Sequence, residues 1–127
     1  MSSAGAKIMI VDDEPDILLV TKMAIEMCGF SAETFGDPFQ ALEKFKSSPS
    51  DFLLVLTDIR MPKMDGVELA RELMRVRPDL PVVLMTAFNI EGGILTGLPM
   101  MKKDDVVKKP FNPSDLCSAV RVRLQKK

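Results

Sequence analysis

The sequence predicts a doubly wound α/β domain, a parallel sheet with helices on both faces. Three observations carry that prediction. Short apolar runs alternate with segments of helical spacing about five times along the chain. The run DFLLVLT (51–57) is continuously apolar rather than alternating, as a strand covered on both faces requires. Prolines and glycines stand where helices should start and stop.

Each element follows from its own residues. AKIMIV (6–11), bounded by acids, reads as a buried strand. A helix follows, with Pro15 in its first turn, acids at its positive end and Gly29 as its C-terminal cap. Ile17, Thr21, Ala24, Ile25 and Cys28 fall on one face of it at helical spacing. SAETF (31–35) alternates like a short strand. Asp37-Pro38 starts a second helix that runs to about Phe45 and ends at SSPS. After the strand 51–57, DGVELARELMRVRP gives a third helix with Val67, Ala70, Leu73 and Met74 inward. LPVVLMTA (80–87) is a fourth strand and DVVKKP (105–110) a fifth. The last helix is capped by Asn112, has Pro113 at its first position, and buries Leu116, Val120 and Leu124.

Bulk properties narrow the function. The chain has 127 residues, enough for one domain with a real core, and no repeat or low-complexity linker divides it; residues 1–6 read as a flexible start. Hydrophobic residues make up 46% and charged residues 28%, an ordinary globular composition. No apolar run approaches a membrane span and the N-terminus lacks the apolar core of a signal peptide, so a cytoplasmic address is the default. Net charge is −1, from 17 basic and 18 acidic residues, which gives no support to nucleic-acid binding; the basic end VRVRLQKK reads as a solvated helix face. The absence of histidine excludes His-based triads and most zinc sites, and places any phosphohistidine step on a partner. Cys28 and Cys117 form neither a disulfide framework nor a metal-knuckle spacing and read as buried small hydrophobes.

In doubly wound sheets, sites form outside the carboxyl ends of the strands. There the chain carries Asp12 and Asp13, Asp58, Thr86 and Lys109. Three carboxylates in contact repel, and a hard divalent cation removes that cost. Magnesium fits best, because it takes oxygen ligands, keeps waters and favours phosphate as co-ligand. A lysine charge and a threonine hydroxyl suit phosphate oxygens, so the set points to phosphoryl transfer. Plainer readings stand beside this one. The paired acids could be only an acidic helix start, Asp58 an Asx-turn residue, and Thr86 a common strand-end residue. Adjacency to Pro110 selects Lys109 over Lys108, which reads as solvent-facing. Asp65-Gly66 reads as turn and helix start rather than chemistry. The ten methionines read as core filler, with Met61 packing near the active loop.

The motifs IVDDEPD, LTDIRMPKMDG, VVLMTA and KKPF, in this order, resemble the receiver domain of two-component response regulators, and the resemblance covers Lys7 to Leu124. It implies a flavodoxin-like (βα)5 three-layer sandwich, similar to chemotaxis regulators, with a sheet of order 2-1-3-4-5. It implies that Asp58 is the phospho-accepting nucleophile, taking the phosphoryl group of a histidine kinase or phosphotransfer protein. Asp12 and Asp13 would hold Mg2+ with Asp58 and the backbone carbonyl of Arg60. Lys109 would pair with phosphoryl oxygens ahead of a Pro110 that is typically cis. Thr86 would move in to donate to phosphate and pass the change to the face made by the fourth helix, fifth strand and last helix, where an effector or a second copy of the chain would dock. The domain would be no enzyme beyond its own phosphorylation and slow dephosphorylation.

Two departures concern output. Val106 stands where receivers usually carry an aromatic three positions before the lysine, so the aromatic rotamer switch is not available. The stretch NIEGGILTGLPMMKK holds Gly92, Gly93, Gly97 and Pro99, so the fourth helix is expected to be short, irregular or mobile, with signalling by ordering of residues 88–103. Arg60 and Phe88 are placed to screen attacking water. Three other functions are weighed against this one. A magnesium-dependent aspartyl phosphatase needs a second acid two residues past its nucleophile, where Arg60 stands, and a nucleotide switch needs a P-loop that is missing. A receiver-like adaptor that never uses phosphorylation is the third. The chain ends at the last predicted helix, which leaves a stand-alone receiver and a piece of a longer regulator both open.

Overall fold

The computed structural model describes residues 6–87 and 105–125. Strands β1 (Lys7–Val11), β2 (Ser31–Phe35), β3 (Phe52–Asp58), β4 (Val82–Thr86) and β5 (Val106–Lys108) alternate with helices α1 (Pro15–Met27), α2 (Pro38–Ser47), α3 (Gly66–Val76) and α4 (Pro113–Gln125). The five strands are all parallel and ordered β2-β1-β3-β4-β5. The expected doubly wound, flavodoxin-like sheet is therefore what forms. The expected irregular helix between the fourth and fifth strands, and Phe88, lie outside the described residues.

Strand periodicity sorts the core into two layers. Along β1, Met9 and Val11 face the cluster under α2 and α3, whereas Ile8 and Ile10 face the cluster under α1 and α4. Val82 and Leu84 against Val83 and Met85 repeat the division on β4. Consecutive residues of a central strand are thus both buried, which is why these strands read as unbroken apolar runs. On α1, Thr21, Ala24, Ile25 and Cys28 are buried as their spacing predicts, and Ile17 is half-buried. On α3 the inward set is Val67, Leu69, Ala70 and Leu73, with Met74 at its margin.

Helix starts are built locally. The Asp37 carboxylate accepts the Phe39 N–H at 2.8 Å. Asp65 accepts the Glu68 N–H at 2.8 Å while Glu68 accepts the Asp65 N–H at 3.2 Å, a reciprocal capping box. Asn112 caps α4 by accepting the Asp115 N–H at 2.8 Å. Gly29, at φ 95°, supplies the left-handed turn that ends α1. A 3₁₀ turn at Pro49–Asp51 leads from α2 into β3, and Arg77 braces it by donating to the carbonyls of Pro49 and Phe52.

One sequence expectation is corrected. Cys28 and Cys117 are not separate buried thiols but are joined in a disulfide, with Cα atoms 5.8 Å apart. They are 89 residues apart in the chain, so spacing could not reveal that α1 and α4 pack on the same sheet face and bring them together.

Candidate functional site

Three neighbouring strands, β1, β3 and β4, end side by side with β5 beyond them, and their carboxyl ends deliver the polar residues. The register aligns Val11 with Thr57, Asp58 with Met85, and Thr86 with Lys108. Asp12 therefore emerges beside Asp58, and Lys109 beyond Thr86. Asp12 is fully buried, Asp58 is 6% exposed and Thr86 is 2% exposed, whereas Asp13 is on the surface. Carboxylate oxygens of Asp12, Asp13 and Asp58 lie within 4.8 Å of one another.

Lys109 joins the two buried acids. Its Nζ stands 2.8 Å from Asp12 Oδ2 and 3.2 Å from Asp58 Oδ1. The other Asp12 oxygen accepts the Glu14 N–H at 3.0 Å, so Asp12 is held from both sides. Lys109 is itself tethered, since its N–H donates to the Thr86 carbonyl at 2.7 Å; the Lys109–Pro110 peptide that follows is cis. Lys108 is exposed, as read from the sequence. Arg60 is also exposed, at the start of the loop that follows β3.

One ammonium serves two buried carboxylates, and the electrostatics follow from that ratio. Burial, and then the charge of Asp12, push the Asp58 carboxyl above its ordinary range, and the Lys109 attraction does not cancel them. Burial works against the Lys109 charge, but the Asp12 hydrogen bond and the charges of Asp12 and Asp58 outweigh it and raise the lysine. The cluster is short of positive charge. An oxygen-loving divalent cation held by Asp12, Asp13 and Asp58 would supply the missing charge, so the donor set fits Mg2+.

Sequence reasoning missed Gly66. A Cβ there would overlap the Asp58 carbonyl oxygen and stand only 2.9 Å from the Asp58 carbonyl carbon and 3.0 Å from Ile59 Cα. The Gly66 N–H donates to the Ile59 carbonyl at 2.7 Å, and the Ile59 N–H to the Met85 carbonyl at 2.9 Å. The loop returns so closely over the end of β3 that only glycine fits. The signal was present in Asp65-Gly66 at a helix start, but its partner was across the loop rather than along the chain. Met61 lies buried in the cluster under α2 and α3. On the other side of Lys109, β5 and α4 border a groove lined by Val106, Pro110, Phe111, Ala119 and Val122 among others.

Fold and site together define a parallel α/β domain of flavodoxin-like topology with an acidic, lysine-bridged mouth at the carboxyl ends of its strands. Comparison with known proteins gives the family. The model for the response regulator receiver domain matches residues 8–121, and the chain belongs to that family, the receiver domains of two-component systems. It is 32% identical to the DNA-binding response regulator MtrA of Mycolicibacterium smegmatis over 99% of this chain and 54% of that protein. It is 31% identical to the alkaline phosphatase synthesis transcriptional regulatory protein PhoP of Bacillus subtilis over 94% of this chain and 49% of that protein. The chain thus spans about half the length of the curated relatives it matches. Among solved structures, a response regulator receiver protein from Sinorhizobium medicae superposes with a TM-score of 0.83 at 27% identity, covering 97% of both chains. No helix among the described residues is long and apolar enough to cross a membrane.

Proposed function

We propose that the chain forms a single receiver domain in which Asp58 is the phospho-acceptor. An Asp58 oxygen attacks the phosphorus of a phosphohistidine on a sensor kinase or phosphotransfer protein. The P–N bond breaks, its electrons return to the donor imidazole, and an acyl phosphate forms on Asp58. The single observation that carries this reading is the Asp58 carboxylate at the end of β3, 3.2 Å from Lys109 Nζ and grouped with Asp12 and Asp13.

The other residues divide the work. Lys109 already stands where it can move from carboxylate to phosphoryl oxygen without leaving its backbone tether. Asp12, Asp13, Asp58 and the Arg60 carbonyl would hold Mg2+, whose chemistry is to neutralise charge on the transferring phosphoryl group. Thr86, buried at the end of the adjoining strand, donates its hydroxyl to the new phosphate. Its carbonyl accepts the Lys109 N–H, so movement at Thr86 reaches β5 and the groove against α4. That groove is the output face, open to an effector or to a second copy of the chain. The domain promotes only its own phosphorylation and slow dephosphorylation.

Incubation with Mg2+ and acetyl phosphate tests the reading. A mass gain of one phosphoryl group, lost in Asp58→Asn, is expected. No gain in the wild type would instead favour an adaptor that signals without phosphorylation.

A further inference from the structure

The disulfide between Cys28 and Cys117 is not needed to hold the core. Two apolar clusters already fill both faces of the sheet, and a chain of 127 residues is not one of the small domains that depend on such staples. The pair instead links two helices that both lead away from the acidic cluster. Cys28 ends α1, which starts three residues after Asp12, and Cys117 lies in α4, which starts four residues after Lys109. The two helices that leave the acidic mouth are thereby tied to each other.

The same pocket also houses thiols. Cys28 Sγ lies 3.2 Å from the Ala24 carbonyl and Cys117 Sγ 3.9 Å from that same oxygen. That oxygen also accepts the Cys28 N–H at 3.2 Å, so the open pair would keep a shared, weak acceptor rather than two full hydrogen bonds. Arg121 in α4 donates to the Cys28 carbonyl at 3.1 Å, which holds the end of α1 against α4 whether or not the sulfurs are bonded. Cys117 is partly exposed, whereas Cys28 is buried, so Cys117 is the residue a reagent would reach first and Cys28 the one to resolve. The Cα separation of 5.8 Å needs no backbone shift to close.

We propose that Cys28 and Cys117 form a reversible thiol–disulfide pair, a redox input that fastens α4 to α1 and is independent of phosphoryl chemistry. The oxidant is a low-molecular-weight disulfide. The Cys117 thiolate attacks one of its sulfurs and expels one thiolate. The Cys28 thiolate then attacks Cys117 Sγ and expels the second, so two protein thiols and one small disulfide become one protein disulfide and two small thiols.

The test equilibrates the full chain across mixtures of reduced and oxidised glutathione, quenches with acid, alkylates and counts adducts by mass. The pair predicts no adduct at the oxidising end, two at the reducing end, and a midpoint inside the range. Two adducts throughout, none throughout, or a lasting mixed disulfide each overturn the proposal. Closing a loop of this span is expected to raise the melting temperature by roughly 10 °C. Amides of residues 113–125 are expected to exchange faster in the reduced chain, and Cys117→Ser to match it under both conditions. Equal exchange in both redox states would refute the clamp.

Discussion

Replacing Gly66 by alanine should move Asp58 without touching its chemistry. The added Cβ would lie 2.9 Å from the Asp58 carbonyl carbon, and ordinary contact begins at 3.4 Å, so the two must part by at least 0.5 Å. The overlap with the carbonyl oxygen demands more. Neither side yields cheaply, because Asp58 is in register with Met85 and the Ile59 and Gly66 amides are both hydrogen-bonded across the loop. Overpacking against backbone costs about 1–3 kcal/mol, which in a domain of this size lowers the melting temperature by roughly 4–12 °C. A carboxylate displaced by about 1 Å loses on the order of 10²-fold in rate. Both are measurable on one preparation, by thermal denaturation and by the initial rate of labelling with acetyl phosphate. Labelling at the wild-type rate, with unchanged melting, would refute the claim that Gly66 positions Asp58.

Three further outcomes follow from the geometry. Lys109→Ala strips the counter-charge from two buried acids and should cost about 3 kcal/mol in metal-free buffer, read from urea denaturation, with part of the loss restored by Mg2+. Because burial, and then the charge of Asp12, raise the Asp58 carboxyl above the ordinary carboxylate range, the folded chain binds that proton more tightly than the unfolded chain. Its metal-free stability therefore falls as pH rises from the ordinary carboxylate range through the raised value, and Asp58→Asn should exceed wild type near neutral pH, the gap closing on acidification. Lys63 holds φ 74°, and Lys63→Gly should relieve about 1 kcal/mol of strain, outweighing the loss of an exposed, solvent-screened ion pair to Asp37. A net destabilisation of more than about 1 kcal/mol in that variant would show that the ion pair, rather than the backbone, governs the turn.

What was legible in the sequence depended on whether partners were near along the chain. β3 announced itself because residues on both of its faces are buried, and Asp58 announced itself by ending that run. The caps at Asp37 and Asn112 lie within three residues of the amides they satisfy. The acidic cluster was readable only through a topological rule, that parallel strands bring their carboxyl ends to one edge. Contacts set by three-dimensional packing were not readable. The Cys28–Cys117 bond depends on how α1 crosses α4, and Gly66 depends on how tightly a loop folds back over Asp58. The length of β5 was overestimated as well. Only Val106–Lys108 is in strand register with β4; the Lys109 N–H still reaches the Thr86 carbonyl, and Pro110 has no N–H to carry the ladder further.

The most direct test of the central claim is to locate the phosphoryl group. Borohydride reduction of the protein treated with Mg2+ and acetyl phosphate converts an aspartyl phosphate to homoserine, and peptide mass mapping then identifies the residue. The account predicts homoserine at position 58 alone. Homoserine at Asp12 or Asp13, or at no position in a chain that binds Mg2+, would contradict it.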